Sequence, residues 1–428
     1  MIHVPLVKKK TKTVQSNELD KDSVREIKAL LSSVPELEKQ YHILKLIGYG
    51  TFSCVFKAID LRYHEYDNSS WENGLNTLRY CTRLSVQQTH YVAIKQVYVT
   101  QSTHRVMKEL KILEKLKGKK SVICAITAFR HQDQIIIVLP YIMHADFREF
   151  YLSYTLKDVS IYIKELFCAL SSIHELSIIH RDIKPANFCW NPFSKKGSLV
   201  DFGLAQWEKE FDTSCTCNKK YLINSSFFDK ENIESSMLLE PNNAYIKKDL
   251  SFFDKENIES SMLLEPNNAY IKKDLRPSKK SERGGTRGFR APEVLFRCKS
   301  QRCAIDVWSA GIILLIFFIK RFPLFQSDND INALVELTHI FGRIEMKKCA
   351  RLHDCSFHDN IPSIPDSRIP WWQLIKIFSI NDNYSIFDGE DEYVVNFALD
   401  FLEKCLMLNP SERIQSKEAL EHPFLNLP

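Results

Sequence analysis

His180-Arg181-Asp182-Ile183-Lys184-Pro185-Ala186-Asn187 decides how this chain is read. A carboxylate held near a substrate hydroxyl accepts its proton as the bond to phosphorus forms. A lysine two residues on neutralises the transferring phosphoryl group, and an asparagine five residues on holds a metal ion. Asp182, Lys184 and Asn187 are those residue types at those spacings, and nineteen positions after Asp182 comes Asp201-Phe202-Gly203, whose aspartate would chelate Mg²⁺. Chance assembly of both motifs in this order is negligible. The expected catalytic pair is Asp182 and Lys184, and the expected metal ligands are Asn187 and Asp201.

Toward the N-terminus, Ile47-Gly48-Tyr49-Gly50-Thr51-Phe52-Ser53-Cys54-Val55 lies between two strand-like patterns. Two glycines let the backbone approach and cover phosphates, and Val55 can pack on an adenine ring. Ser53 stands where a third glycine usually stands, and an ordinary glycine hairpin is an equal reading of this stretch taken alone. Val92-Ala93-Ile94-Lys95 ends a strand on a lysine able to hold the α- and β-phosphates if a carboxylate on the next helix fixes its rotamer. Glu109, between Val106 and Leu110, suits an inward helix face better than its competitor Glu114.

Toward the C-terminus come Gly285-Thr286-Arg287-Gly288-Phe289-Arg290, then Ala291-Pro292-Glu293, Asp306-Val307-Trp308-Ser309-Ala310-Gly311 and Asn409-Pro410-Ser411-Glu412-Arg413. Glycine is scarce, 12 in 428 residues against an average near 7%, so the placement of Gly48, Gly50, Gly203, Gly284, Gly285, Gly288 and Gly311 in or directly beside the quoted motifs is informative.

Composition bounds the rest. At 44% hydrophobic and 26% charged, the chain has material for a packed core, and a net charge of +5 is too mild to argue direct nucleic-acid binding. The longest apolar run, Ala310 to Ile319, is ten residues, short of the roughly 18 that a membrane span needs, and reads as a buried helix. Twelve cysteines without a regular framework or a secretory signal read as reduced thiols of an intracellular, soluble protein.

Strand patterns fill the first third and helical ones the remainder, predicting an α+β arrangement in two lobes. Residues 1–40 read as an extension carrying a short helix that starts at Ser23 and stops at Pro35. Residues 41–140 form the strand-rich lobe, with a polar insert at about 62–89. Residues 141–424 form the helical lobe, with a second insert at about 207–282. Within that insert, Ser226 to Leu250 and Ser251 to Leu275 are the same 25 residues written twice. Two copies do not make a solenoid, and a loop absorbs such lengthening at a cost of about 0.6 kcal/mol per doubling.

With every catalytic motif in order over about residues 41–424, the chain resembles a eukaryotic protein kinase. Lys184 and Thr286 point to serine/threonine rather than tyrosine specificity, since in kinases of this kind that threonine contacts the lysine and the aspartate. The resemblance implies ATP and Mg²⁺ as cofactors, a Glu293–Arg413 brace, and support of the catalytic-loop backbone by Asp306. Gly48 to Lys95 is 47 residues and Asp201 to Ala291 is 90, both longer than in most kinases. This layout is similar to the cell-division-cycle-seven family, the catalytic subunits of the Dbf-dependent kinase. Local wording agrees at Gly50-Thr51-Phe52-Ser53, at the hinge Leu139-Pro140-Tyr141, at Lys184-Pro185-Ala186-Asn187-Phe188 and at Gly285 to Arg290, although Arg287 stands where the family has proline. Length and the short N-terminus are more like the sporulation-specific fission-yeast branch than the mitotic one.

That resemblance implies a Dbf-type activator subunit docking on the inserts, protein Ser/Thr substrates with acidic or phosphorylated flanks, a nuclear location and a role in the cell cycle, replication or meiosis. Arg283, Thr286 and Arg290 are the expected substrate-binding residues. Arg283 and Arg290 form a fork for a carboxylate or phosphate, while an equal reading has Arg290 only bracing the activation segment. A pseudokinase scaffold is the rival from another class, disfavoured because Lys95, Asp182 and Asp201 are all present; another insert-bearing cell-cycle kinase is the nearer alternative.

Weaker signals are read blandly. Cys215-Thr216-Cys217 opens the long insert, and members of the family can carry such a pair with a second Cys-x-x-Cys that is missing here. Cys298 with Cys303, and Cys349, His353, Cys355 and His358, form two further loose groups. All read as scattered core or surface residues, with no structural metal expected. The Lys8–Lys12 cluster, the duplicated Lys-Glu-Asn tripeptides and the apolar Phe227, Phe228, Met237 and Leu238 carry no assignment.

Overall fold

Cys54, Phe56 and Ala58 alternate with outward neighbours along β2 (Ser53–Asp60), the period-two pattern of a strand with one face in a core. β2 pairs with β1 (Tyr41–Tyr49) and with β3 (Tyr91–Val97). β5 (Gln134–Pro140) lies beyond β3 and β4 (Thr127–His131) at the edge, giving a five-stranded antiparallel sheet in the order β1-β2-β3-β5-β4. Val92, Ile94, Ile136 and Val138 join the β2 residues on the buried face, and Leu30, Val34, Leu37 and Tyr41 complete that core. Leu30 lies on α1 (Lys21–Ser33) and Leu37 on α2 (Leu37–Gln40). The stretch before residue 41 is thus part of the sheet's own core. Ser23 lies within the first turn of α1 rather than ahead of it, and the helix ends two residues before Pro35.

This computed structural model describes residues 21–50, 53–69, 89–98, 101–208, 217, 269–274, 284–382 and 385–428. They divide into two compact units. The first comprises the described residues up to Asp67, those within Leu84–Ser102, and Ile126–Tyr141; the rest form the second. Thr103–Ala125, grouped by sequence with the strand-rich part, belongs to the second unit. The reason is its far end. Ile123 N donates to Leu199 O at 3.0 Å and Leu199 N to Ser121 O at 2.8 Å, stitching this segment to β8 (Lys196–Leu199), which pairs with β7 (Phe188–Asn191).

The second unit is mainly helical. α3 (Thr103–Lys115) is followed by the short α4 (Phe147–Phe150) and by α5 (Leu156–His174), which starts on a reciprocal cap between Thr155 and Asp158. The short strands β6 (Ile178–Ile179) and β9 (Gln206–Trp207) pair with each other, and β10 (Ala269–Asp274) pairs with β11 (Cys355–Asp359). α6 (Pro292–Leu295) and α7 (Ala304–Ile319) follow the activation-segment motifs; α7 is buried on all sides from Ile305 to Ile319, as its apolar run predicts. α8 (Asp330–Phe341), α9 (Arg343–Leu352), α10 (Trp371–Asp382), α11 (Glu392–Cys405) and α12 (Ser416–Ala419) complete the unit. Among the described residues no helix is long and apolar enough to cross a membrane. The Lys8–Lys12 cluster, Phe227, Phe228, Met237, Leu238, both Lys-Glu-Asn tripeptides and all of the duplication before Ala269 lie outside the described residues.

Candidate active site

In the first unit, strand register sets which side chains share a face. Gly48 pairs with Val55, Val55 with Lys95 and Lys95 with Ile137, while Lys57 pairs with Ala93 and Ala93 with Leu139. Directly paired residues, and residues two apart, lie on the same side of a sheet. Gly48, Val55, Ala93, Lys95 and Leu139 therefore share the face opposite the core, and Pro140 ends the strand that carries Leu139. Gly50 N donates to Ser53 O at 2.9 Å and closes the turn, whose Thr51 and Phe52 lie outside the described residues. Among the described residues, chain neighbours aside, a Cβ at Gly48 or Gly50 would come no nearer than 3.6 or 3.5 Å to another atom, ordinary van der Waals contact. Packing does not demand these glycines, so their bare backbone suits a phosphate-bearing ligand. Ile47 and Tyr49 are exposed.

Cys54 departs from its expected place among nucleotide contacts. Its thiol is 1% exposed in the core and donates to Gln96 Oε1 at 3.3 Å, and burial pushes its pKa up to about 11. Shifted one residue from Val55, it faces the other way. A feature that sequence reading missed is Lys57, whose ammonium lies 3.9 Å from the Tyr91 ring centre and 4.3 Å from that of Tyr141. Its two-residue step from Val55 was the available signal.

In the second unit, Glu109 is buried on α3 with Val106, Ile112 and Leu113, while Glu114 is exposed, as helical periodicity requires. The catalytic loop surrounds Asp182. Its Oδ1 accepts from the backbone N and the Oγ1 of Thr286, both at 2.8 Å, and its Oδ2 accepts from Lys184 Nζ at 2.8 Å and Asn187 Nδ2 at 3.0 Å. Lys184 Nζ also donates to Thr286 Oγ1 at 3.0 Å. Burial opposes the charge on Asp182, but the Lys184 ammonium and the Thr286 donors outweigh it and hold the carboxyl below its ordinary value. Asp182 is thus ionised at neutral pH, an acceptor only.

Asn187 also donates its amide to the Asp182 carbonyl at 2.8 Å, which leaves its own Oδ1 as a donor atom for a cation. Val200 N donates to Asn187 O at 2.9 Å and sets Asp201 beside it in the chain. Phe202 is buried, its ring 4.9 Å from that of His180, while Asp201 is exposed with φ +64°. An amide oxygen and a carboxylate are hard oxygen donors, the set that suits Mg²⁺; these residues fit the ion.

Support comes from behind. Asp306 accepts from the backbone N of His180 and of Arg181, both at 2.8 Å, and meets His174 Nε2 at 3.1 Å. Arg413 pairs with Glu293 at 2.8 and 3.2 Å, both side chains essentially inaccessible. Gly285 has φ +86°, and a Cβ there would sit 2.2 Å from the Arg181 carbonyl oxygen, so only glycine lets the next residue, Thr286, reach Asp182.

Arg290 adopts the second of its two expected arrangements. Its guanidinium donates to Gly285 O at 2.9 and 2.6 Å and pairs with Asp330 at 2.9 Å, with the side chain 13% exposed. This is the bracing arrangement, which turns the fork inward; Arg283 lies outside the described residues. The partner Asp330 is 40 residues away, beyond any local signal.

Comparison with known proteins agrees with this geometry. The protein kinase domain matches residues 81–239 and 271–425. The cell cycle protein kinase spo4 of Schizosaccharomyces pombe is 41% identical over 419 residues, covering 96% of this chain and 91% of that protein. The cell cycle serine/threonine-protein kinase hsk1 of the same organism is 39% identical over 416 residues, covering 94% and 76%. A probable cell division control protein 7 homolog of Encephalitozoon cuniculi is 34% identical over 387 residues, covering 90% and 92%.

Proposed function

This chain belongs to the protein kinase family and, within it, to the cell-division-cycle-7 kinases, and from that premise we propose a finer reading of how it works. It is a protein serine/threonine kinase using ATP and a divalent cation. In the finer reading the cation is Mg²⁺, a Dbf-type subunit activates the chain, and the targets are nuclear cell-cycle or meiotic proteins with acidic or phosphorylated flanks. The two fission-yeast relatives named as cell cycle kinases support the cellular role.

One observation carries the mechanism: the carboxylate of Asp182 accepts from Lys184, Thr286 and Asn187 at once. ATP supplies the γ-phosphoryl group, and Asn187 and Asp201 would hold the cation, which when bound would supply neutralisation of phosphate charge. Asp182 orients the acceptor hydroxyl and takes its proton late, as the P–O bond forms, because a carboxylate held this acidic is too weak a base to remove it beforehand. Lys184 places its ammonium where charge gathers on the transferring group. Lys95, Ala93, Leu139, Pro140 and Tyr141 with the glycine turn bind the nucleotide, and Glu109 positions it. Most of the acceleration is orientation and electrostatics. With Arg290 committed to its brace, Arg283 is the member of the expected pair left to read an acidic flank.

The test is purification of the full chain from its own cells with whatever chain accompanies it. Activity is then assayed with and without that chain, on matched peptides with acidic and neutral flanks. Transfer that needs the companion and favours the acidic peptide is expected. Full activity of the chain alone, or equal rates on both peptides, contradicts the corresponding part of the proposal.

A further inference from the structure

Lys57 lies directly opposite a second lysine. On one side it pairs with Lys45 of β1, on the other with Ala93 of β3. Like charges opposite each other across a strand pair are destabilising, and a lysine in that position relieves the conflict by carrying its head into water. Lys57 does not. It is half-buried, and its ammonium lies 3.9 Å from the ring centre of Tyr91 and 4.3 Å from that of Tyr141. Both distances are well inside the roughly 6 Å reach of a cation–π contact. The two rings meet each other edge-on, with centroids 6.1 Å apart and planes at 61°. Burial, and then the facing Lys45, hold the Lys57 pKa below the ordinary lysine value. The site thus works against the charge it keeps, which points to a use for that charge.

Register gives the place. On the face opposite the core, β2 carries Val55 and then Lys57, while β3 carries Lys95, Ala93 and Tyr91 in the matching direction. Lys95 marks the phosphate end, Ala93 pairs with Leu139 in the next row, and Tyr91 and Tyr141 follow beyond it. The ring–cation–ring group therefore stands at the base end of this face. β2 and the strand leading into Tyr141, β5, are not neighbours, because β3 lies between them. No ladder of backbone hydrogen bonds joins the two; the Lys57 side chain does.

We propose that Lys57 is a positioning residue for the nucleotide: through its two rings it fixes the spacing between the glycine-turn strand and Tyr141, and so the slot for the purine base. This rests on the reading of that face as the nucleotide side. A slot set by the protein's own contacts need not be ordered by the ligand, and such preorganisation appears as affinity. Lys57 acts on the base and not on the phosphoryl group in transfer, so binding should change while turnover does not.

The full chain, with any companion it needs, is assayed for KM and kcat with ATP, and for thermal midpoint. Lys57→Met and Tyr91→Leu should each raise the KM about three- to tenfold with kcat little changed. The double variant should go no further than the singles, since both remove one contact. Lys57→Arg keeps a cation on the rings and should recover most of the loss, and Lys45→Met, which removes the opposite charge alone, should raise nothing. Should Lys57→Met fail to fold, Tyr91→Leu and Lys57→Arg decide. An unchanged KM in the folded Lys57→Met and Tyr91→Leu variants overturns the proposal, as does a fall in midpoint and kcat with KM unmoved. So does an equal rise in Lys45→Met, or an arginine no better than methionine. Lys95→Met separates the premise: if it altered neither nucleotide binding nor turnover, the nucleotide reading of the face would itself fall.

Discussion

The loop at Gly285 and the turn at Gly48 and Gly50 both bring bare backbone close to something, and they do so on opposite terms. At Gly285 the neighbour is internal: φ is +86° and a side chain would collide with the Arg181 carbonyl at 2.2 Å. At Gly48 and Gly50, among the described residues and chain neighbours aside, no atom lies nearer than 3.5 Å to the place a methyl group would take. The helical unit builds its catalytic loop from its own contacts, around an Asp182 whose two oxygens are both engaged. The strand-rich unit leaves its glycine face bare. A glycine required by packing and a glycine spared by packing look alike in sequence and answer differently to the same substitution.

The largest effect should come from the brace behind the loop. Arg413→Ala strands Glu293 as a buried charge and should cost about 3–5 kcal/mol in chemical denaturation. A loss below about 1 kcal/mol would mean that the helical unit is less tightly built than the contrast requires. Gly285→Ala comes next, with about 1–3 kcal/mol of backbone strain and, by displacing Thr286 from Asp182, a fall in turnover on the order of tenfold or more. Gly48→Ala should leave stability within about 0.5 kcal/mol of wild type while raising the KM for ATP. Equal melting shifts for the two alanine variants would erase the distinction. The smallest expected effect is on pH dependence. The folded pKa of Asp182 lies below its ordinary value, so the stability it contributes is complete above about pH 4 and is lost only as pH falls through the folded value. Turnover from pH 8 down to 5 should therefore show no limb belonging to this group.

Sequence reading did best where chemistry and local period coincide. Asp182, Lys184 and Asn187 lie within six residues, and helical spacing alone chose Glu109 over Glu114. Thr286 was placed with them through resemblance, and the structure sets its hydroxyl on the Asp182 carboxylate. The failures have a common cause in contacts that one dimension does not record. Cys54 lies one residue from Val55, and in a strand one residue reverses the face. Arg290 is turned inward by Asp330 on α8, forty residues on. Cys217, Cys298 and His353 meet only because the insert returns to the end of α9, a path with no trace in cysteine spacing.

The claim that Asp182 receives the hydroxyl proton is tested most directly by Asp182→Asn, measured side by side with wild type for nucleotide binding and for phosphate incorporation into a serine peptide. The account predicts nearly unchanged binding and transfer reduced on the order of a thousandfold. Transfer within a few-fold of wild type at equal nucleotide occupancy would contradict it.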